Sequence, residues 1–211
     1  LSAEEMESLI GESRTRGWRE ALTGLEERAP FFARRMRDLA LLNWHVLLLN
    51  ETERPVLDVG CGLGSSVLGL AAYYETVVGI EYLPDRLRYS ALRASQEERR
   101  NCHIARGDGH ALPFRDATFS LVTMNGVLEW AGLYTDAASP EDAQLAFLEE
   151  SRRILSADGQ LAVAIENRFA AESLLGMQDT HTGLMFVTVF PRWLARLWSR
   201  IWKGDDYRTF L

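Results

Sequence analysis

The residues best placed to do chemistry are a run of glycines behind an acid, two further acids behind apolar runs, and a histidine late in the chain. The stretch Asp58-Val59-Gly60-Cys61-Gly62-Leu63-Gly64 ends the apolar run Pro55-Val56-Leu57 and leads into a helix-like segment. Glycines at such a junction let the backbone turn sharply and let a ligand approach the main chain. The helix start adds unpaired N–H groups. Together these make a nucleotide-type cofactor site. A dinucleotide needs Gly-x-Gly-x-x-Gly around its pyrophosphate. Here the glycines fall at 60, 62 and 64, and Ser65 holds the dinucleotide position, so a nicotinamide cofactor matches poorly. Glu81 ends the run Val77-Val78-Gly79-Ile80. A carboxylate at a strand end can accept both hydroxyl protons of a ribose. Gly107-Asp108-Gly109-His110 is a third polar turn; alone it signals only a turn.

A second polar set comes later: Glu166-Asn167-Arg168, then Asp179-Thr180-His181-Thr182-Gly183. His181 is the best candidate for a general base, because an ordinary imidazole titrates near neutrality. Asp179 would orient it. His110 and Glu129 are weaker alternatives. The bland alternative has Glu166 capping a turn and His181 on a surface loop.

These residues need a scaffold, and the pattern supplies one. Residues 3 to 28 read as helix, with Met6, Leu9, Ile10, Trp18, Leu22 and Leu25 at helical spacing. After Pro30 a second apolar-rich helix runs from Phe32 to Leu49, its core face including Met36, Leu39, Leu42 and Val46. Short buried strands are expected at 55–59, 76–80, 103–105, 119–124 and 160–165. Helices are expected at 65–74, 84–100, 140–155 and 191–203, with Ala157-Asp158-Gly159 as the stop of the third. Alternating strands and helices imply a parallel sheet covered on both faces. The expected fold is α/β: a Rossmann-like, doubly wound, mainly parallel sheet with an N-terminal helical cap. The expected divisions are a cap over 1–50, a cofactor-binding core over 51–168, and an acceptor-side loop and amphipathic helix over 169–211 of the same domain.

In that setting the stretch Val56-Leu57-Asp58-Val59-Gly60-Cys61-Gly62-Leu63-Gly64-Ser65-Ser66 resembles the first motif of class I S-adenosylmethionine-dependent methyltransferases. The order of the other motifs is similar to that family from about residue 55 to 166. The resemblance implies S-adenosylmethionine as cofactor and S-adenosylhomocysteine as product. The loop Gly60, Cys61, Gly62 and Gly64 would wrap the aminoacid end, with Asp58 helping to hold its ammonium. Glu81 would take the ribose hydroxyls, and Tyr82 and Leu83 would flank the adenine. Asp108 would accept from the exocyclic amine, with the neighbouring backbone at Gly109 meeting a ring nitrogen. Asn125 and Gly126 would pass near the sulfonium. A complete core of the family has seven strands. Five are visible here, so the expectation is either that the last two lie beyond residue 211, in a chain cut from a larger multidomain protein, or that this is a shortened form.

Methyl transfer from a sulfonium is an in-line displacement of an already activated group. The protein mostly aligns the acceptor and excludes water. A small-molecule, glycan or lipid-linked acceptor is expected. Transfer of another group, such as an aminopropyl chain, would need extra acids near the donor; Asp136, Glu141 and Asp142 read instead as a helix start. The alternative function is a non-catalytic domain that binds the cofactor or a partner.

The net charge of −7 argues against a nucleic-acid partner. Cys61 and Cys102 form no metal-ligand spacing, and no metal is expected. No apolar run reaches the ~18 residues that span a bilayer, and the acidic N-terminus has no signal-peptide character, so the expected location is cytoplasmic. Residues 190–203 differ from the rest. Phe190, Trp193, Leu194, Leu197, Trp198, Ile201 and Trp202 cover one half of a helical wheel, and Arg192, Arg196, Arg200 and Lys203 the other. Such a helix suits peripheral contact with a membrane surface. Its alternative is a lid that packs its apolar face on the domain.

Overall fold

The computed structural model describes residues 1–37, 44–45, 47–48, 53–133, 135, 139–179 and 181–206. Leu39, Leu42 and Val46, the end of the helix expected up to Leu49, Asp136 and Thr180 lie outside the described residues. The chain forms two compact units: Leu1–Asn125 with Glu150–Ala162, and Gly126–Glu149 with Val163–Leu211.

The first unit holds the sheet. Strands β1 (Val56–Val59), β2 (Val77–Glu81), β3 (Cys102–Arg106), β4 (Phe119–Asn125) and β5 (Leu155–Ala164) lie in the order β3-β2-β1-β4-β5, all parallel, as the alternating pattern predicts. After β3 the chain crosses to the other side of β1. The strand order therefore reverses between β1 and β4, where open α/β sheets bind ligands at their carboxyl ends. The register sets Asp58 level with Gly79 on one side and Thr123 on the other. A Cβ on Gly79 would stand 3.0 Å from Cys61 Sγ and 3.1 Å from Val67 Cγ2, so a side chain there would crowd the loop.

The helices of this unit are α1 (Ala3–Arg16), α2 (Trp18–Arg28), α3 (Pro30–Arg37), α4 (Ser65–Leu70) and α5 (Pro84–Gln96). The single helix expected over 3–28 is two, because Gly17 takes φ +87°, outside the helical region. Ser2 and Glu5 start α1 with a capping box. Gln96 of α5 stitches the break: its side chain accepts from Trp18 N–H at 2.8 Å and donates to Ser13 O at 2.7 Å. Met6, Ile10, Trp18, Leu22 and Met36 share a buried cluster with Tyr89 of α5.

Helix α6 (Pro140–Ile154) runs straight into β5. The stop expected at Ala157-Asp158-Gly159 is strand. Thr118 N–H donates to Ile154 O at 2.8 Å and Ala117 N–H to Arg153 O at 3.0 Å, which ties the helix end to the segment before β4. Gly159 serves close packing instead of a cap: a Cβ there would lie 3.1 Å from Phe119 O. The second unit adds a 3-10 turn (Leu128–Leu133), α7 (Ala171–Leu174) and α8 (Arg192–Lys203).

Arg93 of α5 is 2% exposed. It donates to Leu63 O at 2.8 Å and Met36 O at 3.2 Å, and its guanidinium lies 4.0 Å from the Trp18 ring centre. It thus ties the glycine loop to the N-terminal helices. Arg93→Met should lower the unfolding free energy by about 3 kcal/mol, since buried carbonyls lose their donor. Urea unfolding checks this, and a loss under about 1 kcal/mol would show that the carbonyls find other partners.

Candidate functional site

The glycine loop is rigid because almost every N–H in it is used. Gly60 and Cys61 donate to Ile80 O at 2.8 and 3.0 Å, and Gly64 donates to Cys61 O at 2.9 Å. Gly60, Gly62 and Gly64 all have positive φ, at 69°, 56° and 88°. Near the place of a Gly62 Cβ the nearest atom is Gly60 O, at 3.8 Å, so the main chain is open on that side.

Two acids hold this loop from below and beside. Asp58 is 1% exposed. Thr123 Oγ1 donates to its Oδ1 at 2.7 Å and Ser66 Oγ donates to its Oδ2. Burial outweighs these hydroxyls and pushes the carboxyl up from 3.8 to about 6. Glu81 is 5% exposed and accepts from Gly62 N–H at 2.9 Å and Leu83 N–H at 2.8 Å. It therefore couples the glycine loop to the start of α5. Tyr82 is exposed beside it, and Leu83 is the residue before α5. Cys61 is buried, and burial holds its thiol far above its ordinary range, so it is no nucleophile.

Asp108 and Gly109 lie on the turn after β3. Asp108 Oδ1 accepts from His110 N–H at 2.9 Å and meets His110 Nδ1 at 2.8 Å. The turn is anchored from α6: Glu150 accepts from Leu112 N–H at 2.9 Å, and Arg153 donates to Leu112 O at 3.0 Å and Phe114 O at 2.8 Å. Asn125 ends β4, and Gly126 follows with φ +67°. The first unit thus brings Asp58, the glycine loop, Glu81 and Asp108 to the carboxyl ends of β1, β2 and β3. The partners Ser66, Thr123, Glu150 and Arg153 were not singled out in the sequence. Only Ser66 carried a local signal, as a hydroxyl in the first turn after the loop.

The second unit assembles the late polar residues. Asp179 closes its own turn, accepting from Thr182 N–H and Oγ1 at 2.7 and 2.6 Å. Its Oδ1 lies 3.1 Å from His181 Nδ1. Glu129 Oε1 lies 3.7 Å from His181 Nε2, and Glu166 Oε2 lies 3.9 Å from Nδ1. The Trp130 ring centre is 4.6 Å from the imidazole. The side chains of His181, Asp179 and Glu129 are 3%, 3% and 1% exposed, so His181 is no surface residue. Burial alone would lower the imidazole pKa. The bond to Asp179 and the nearby carboxylates of Glu129 and Glu166 outweigh it and raise the value to about 9. His181 is thus an imidazolium at neutral pH, and takes up a proton only where it has first lost one. Glu129 Oε2 is buried without a hydrogen-bond partner. His110 sits with Asp108 in the first unit.

Asp58 gives a test of its own. A rise to about 6 in the fold amounts to roughly 3 kcal/mol against the ionised form. The folded pKa lies above the unfolded one, so this contribution to stability is complete below pH 3.8 and lost as pH rises through about 6. Asp58→Asn should flatten that loss and melt no lower than wild type at pH 7.5, while its affinity for S-adenosylmethionine falls more than about tenfold. Calorimetry of both proteins checks it; a full loss of folding together with unchanged affinity in residual native protein would oppose a charge-based role.

Comparison with known proteins gives the family of the chain. The model of the methyltransferase domain family matches residues 57–163, more than half of the chain. The malonyl-[acyl-carrier protein] O-methyltransferase of Halorhodospira halophila is 34% identical over 113 residues, covering 53% of this chain and 34% of that protein. The uncharacterized methyltransferase YcgJ of Bacillus subtilis is 27% identical over 73 residues, 35% of this chain and 29% of that protein. The chain therefore spans about a third of the length of these curated relatives. Among solved structures, the S-adenosylmethionine-dependent methyltransferase of Aquifex aeolicus shares the fold, with a TM-score of 0.54 at 16% identity over 87% of this chain and 86% of that one. The YcgJ structure gives 0.51 at 20% identity over 59% and 49%. The chain belongs to the methyltransferase domain family, within the class I S-adenosylmethionine-dependent methyltransferases whose cofactor is S-adenosylmethionine.

Proposed function

We propose that this chain binds S-adenosylmethionine on the glycine loop and carries a methyl group to a hydroxyl oxygen of a small-molecule, glycan or lipid-linked acceptor. The observation that carries the reading is the pairing of a rigid, positive-φ glycine loop with a flanking carboxylate that keeps unused capacity. A carboxylate offers about four acceptor positions. Glu81 spends two of them on Gly62 and Leu83, leaving positions for two ribose hydroxyls. The open side of Gly62 leaves room for a ligand against the main chain. Asp58 sets a negative charge beneath the loop, which favours an ammonium. Asp108 keeps Oδ2 for an exocyclic amine, and Gly109 offers main chain beside it. Tyr82 and Leu83 flank the adenine, and Asn125 and Gly126 border the aminoacid end. The cofactor supplies a methyl already activated by its sulfonium.

The cluster around His181 is the acceptor machinery of this reading. Three carboxylates surround one imidazolium. That environment repels a second anion and favours a group that gives up a proton. The name of the Halorhodospira relative points to a malonyl group, an anionic acceptor. The charge of this cluster favours a neutral hydroxyl instead. Asp179 holds the ring through Nδ1, and Glu129 lies 3.7 Å from Nε2. A base of pKa about 9 is neutral in only a few per cent of molecules at pH 7.5.

Two expected outcomes follow. Glu81→Ala weakens S-adenosylmethionine binding by about 1.5–3 kcal/mol, with NAD as the non-binding control in calorimetry. An unchanged dissociation constant removes its ribose role. With hydroxylated glycans and lipid-linked sugars as acceptors, turnover should rise with pH towards 9, because the base must be neutral. The stability that His181 contributes falls over the same range, complete below pH 6.5 and lost through about 9, because its folded pKa lies above the unfolded one. His181→Gln should keep cofactor affinity, lose turnover and flatten that fall in stability. Retained turnover in the variant takes His181 out of the chemistry.

A further inference from the structure

Helix α8 (Arg192–Lys203) packs on its own unit by its smallest side. Ala195 and Ser199 are buried at 1% and 2% exposure. Ala195 shares a small cluster with Val187, Leu184, Phe190 and Trp198. Leu194 and Trp198 are half-buried, and the other large apolar residues are exposed. Trp193 is 69% exposed, Leu197 48%, Ile201 65% and Trp202 65%. Trp193, Leu197 and Ile201 recur every fourth residue and form one stripe along the helix. The lid reading, with this apolar face turned inward, does not describe these side chains.

The flank of the stripe is positively charged. Arg192, Arg196, Arg200 and Lys203 lie on one arc beside it, and the helix contains no acid, in a chain of net charge −7. The arginines are held outside the helix, by Glu141 for Arg192 and Arg196 and by Asp206 for Arg200. Such exposed pairs are worth under about 1 kcal/mol, so a competing phosphate can displace them. No described helix is long and apolar enough to cross a membrane.

We propose that α8 is a membrane-surface anchor that lies in the headgroup region of an anionic bilayer, with Trp193, Leu197 and Ile201 dipping towards the acyl chains and the basic arc on lipid phosphates. Tryptophan suits this boundary because its ring is apolar and its N–H is not. Charge decides between this occupant and a second copy of the chain. An isologous pairing through the stripe would set two basic arcs side by side. An anionic leaflet instead attracts them, at about 1 kcal/mol, or fivefold in affinity, per residue near the surface. The anchor stands independently of the acceptor chemistry.

Co-sedimentation of the intact chain with vesicles tests it, comparing pure phosphatidylcholine with a mixture of phosphatidylcholine and phosphatidylglycerol. Binding is expected to the anionic vesicles, weakened by salt. Trp193→Ser with Ile201→Ser should abolish it. Arg196→Gln with Arg200→Gln should weaken it more than about tenfold. These side chains are exposed, so unchanged melting temperatures verify folding. Failure to bind anionic vesicles, equal binding to neutral ones, or a concentration-dependent dimer that Trp193→Ser breaks up would overturn the proposal.

Discussion

A buried carboxylate sits at the centre of the sheet, and much of the first unit is arranged around it. Asp58 lies on β1 between β2 and β4, out of water. A charge there is costly unless donors meet it. Thr123, level with it on β4, and Ser66, in the first turn of α4, are those donors. The requirement reaches further. The level position on β2 is Gly79, whose missing side chain makes room for Cys61 and Val67 as the loop folds back over the strand ends. Glu81 then clasps that loop through Gly62 and sets the start of α5 through Leu83. One acid under the loop and one beside it thus place three strand ends and two helix starts.

The two units treat their acids differently. In the first, each carboxylate meets N–H or O–H groups of the protein itself, and the result is a stiff cradle. In the second, Glu129, Asp179 and Glu166 converge on a single imidazole. Their charge raises its pKa although burial works against it. A cradle suits a cofactor that must be held in one pose. A cluster with excess negative charge suits an acceptor that must part with a proton. The residues between β4 and α6 matter here because they carry Glu129 and Trp130 to His181.

Charge is also unevenly spread. The chain is acidic overall, yet α8 carries only basic charged residues. Helix packing usually spends the largest apolar side chains on the core. Here Ala195 and Ser199 are the buried residues, and Trp193, Leu197, Ile201 and Trp202 are exposed. The core of the second unit near α8 is small, and a close approach needs small residues.

The fold class was legible in the amino-acid sequence, and so were the acids and glycines that the structure gathers at the carboxyl ends of β1, β2 and β3. Buried strands, glycine turns and strand-end acids are local signals: each depends on neighbours a few residues away, and their order along the chain defines the sheet. Element ends were less legible. Gly17 breaks the first helix through its backbone angle, and α6 enters β5 without a turn because residues before β4 capture its last carbonyls. Three features needed the tertiary structure. The hydroxyl on Asp58 comes from 65 residues along the chain. The pKa of His181 depends on Glu129, brought in from another segment. On α8 the sequence defined an apolar arc and a basic arc, but which side is buried depends on what the helix packs against. Side-chain type and period are properties of the chain alone; burial, charge environment and partner choice exist only once distant segments meet.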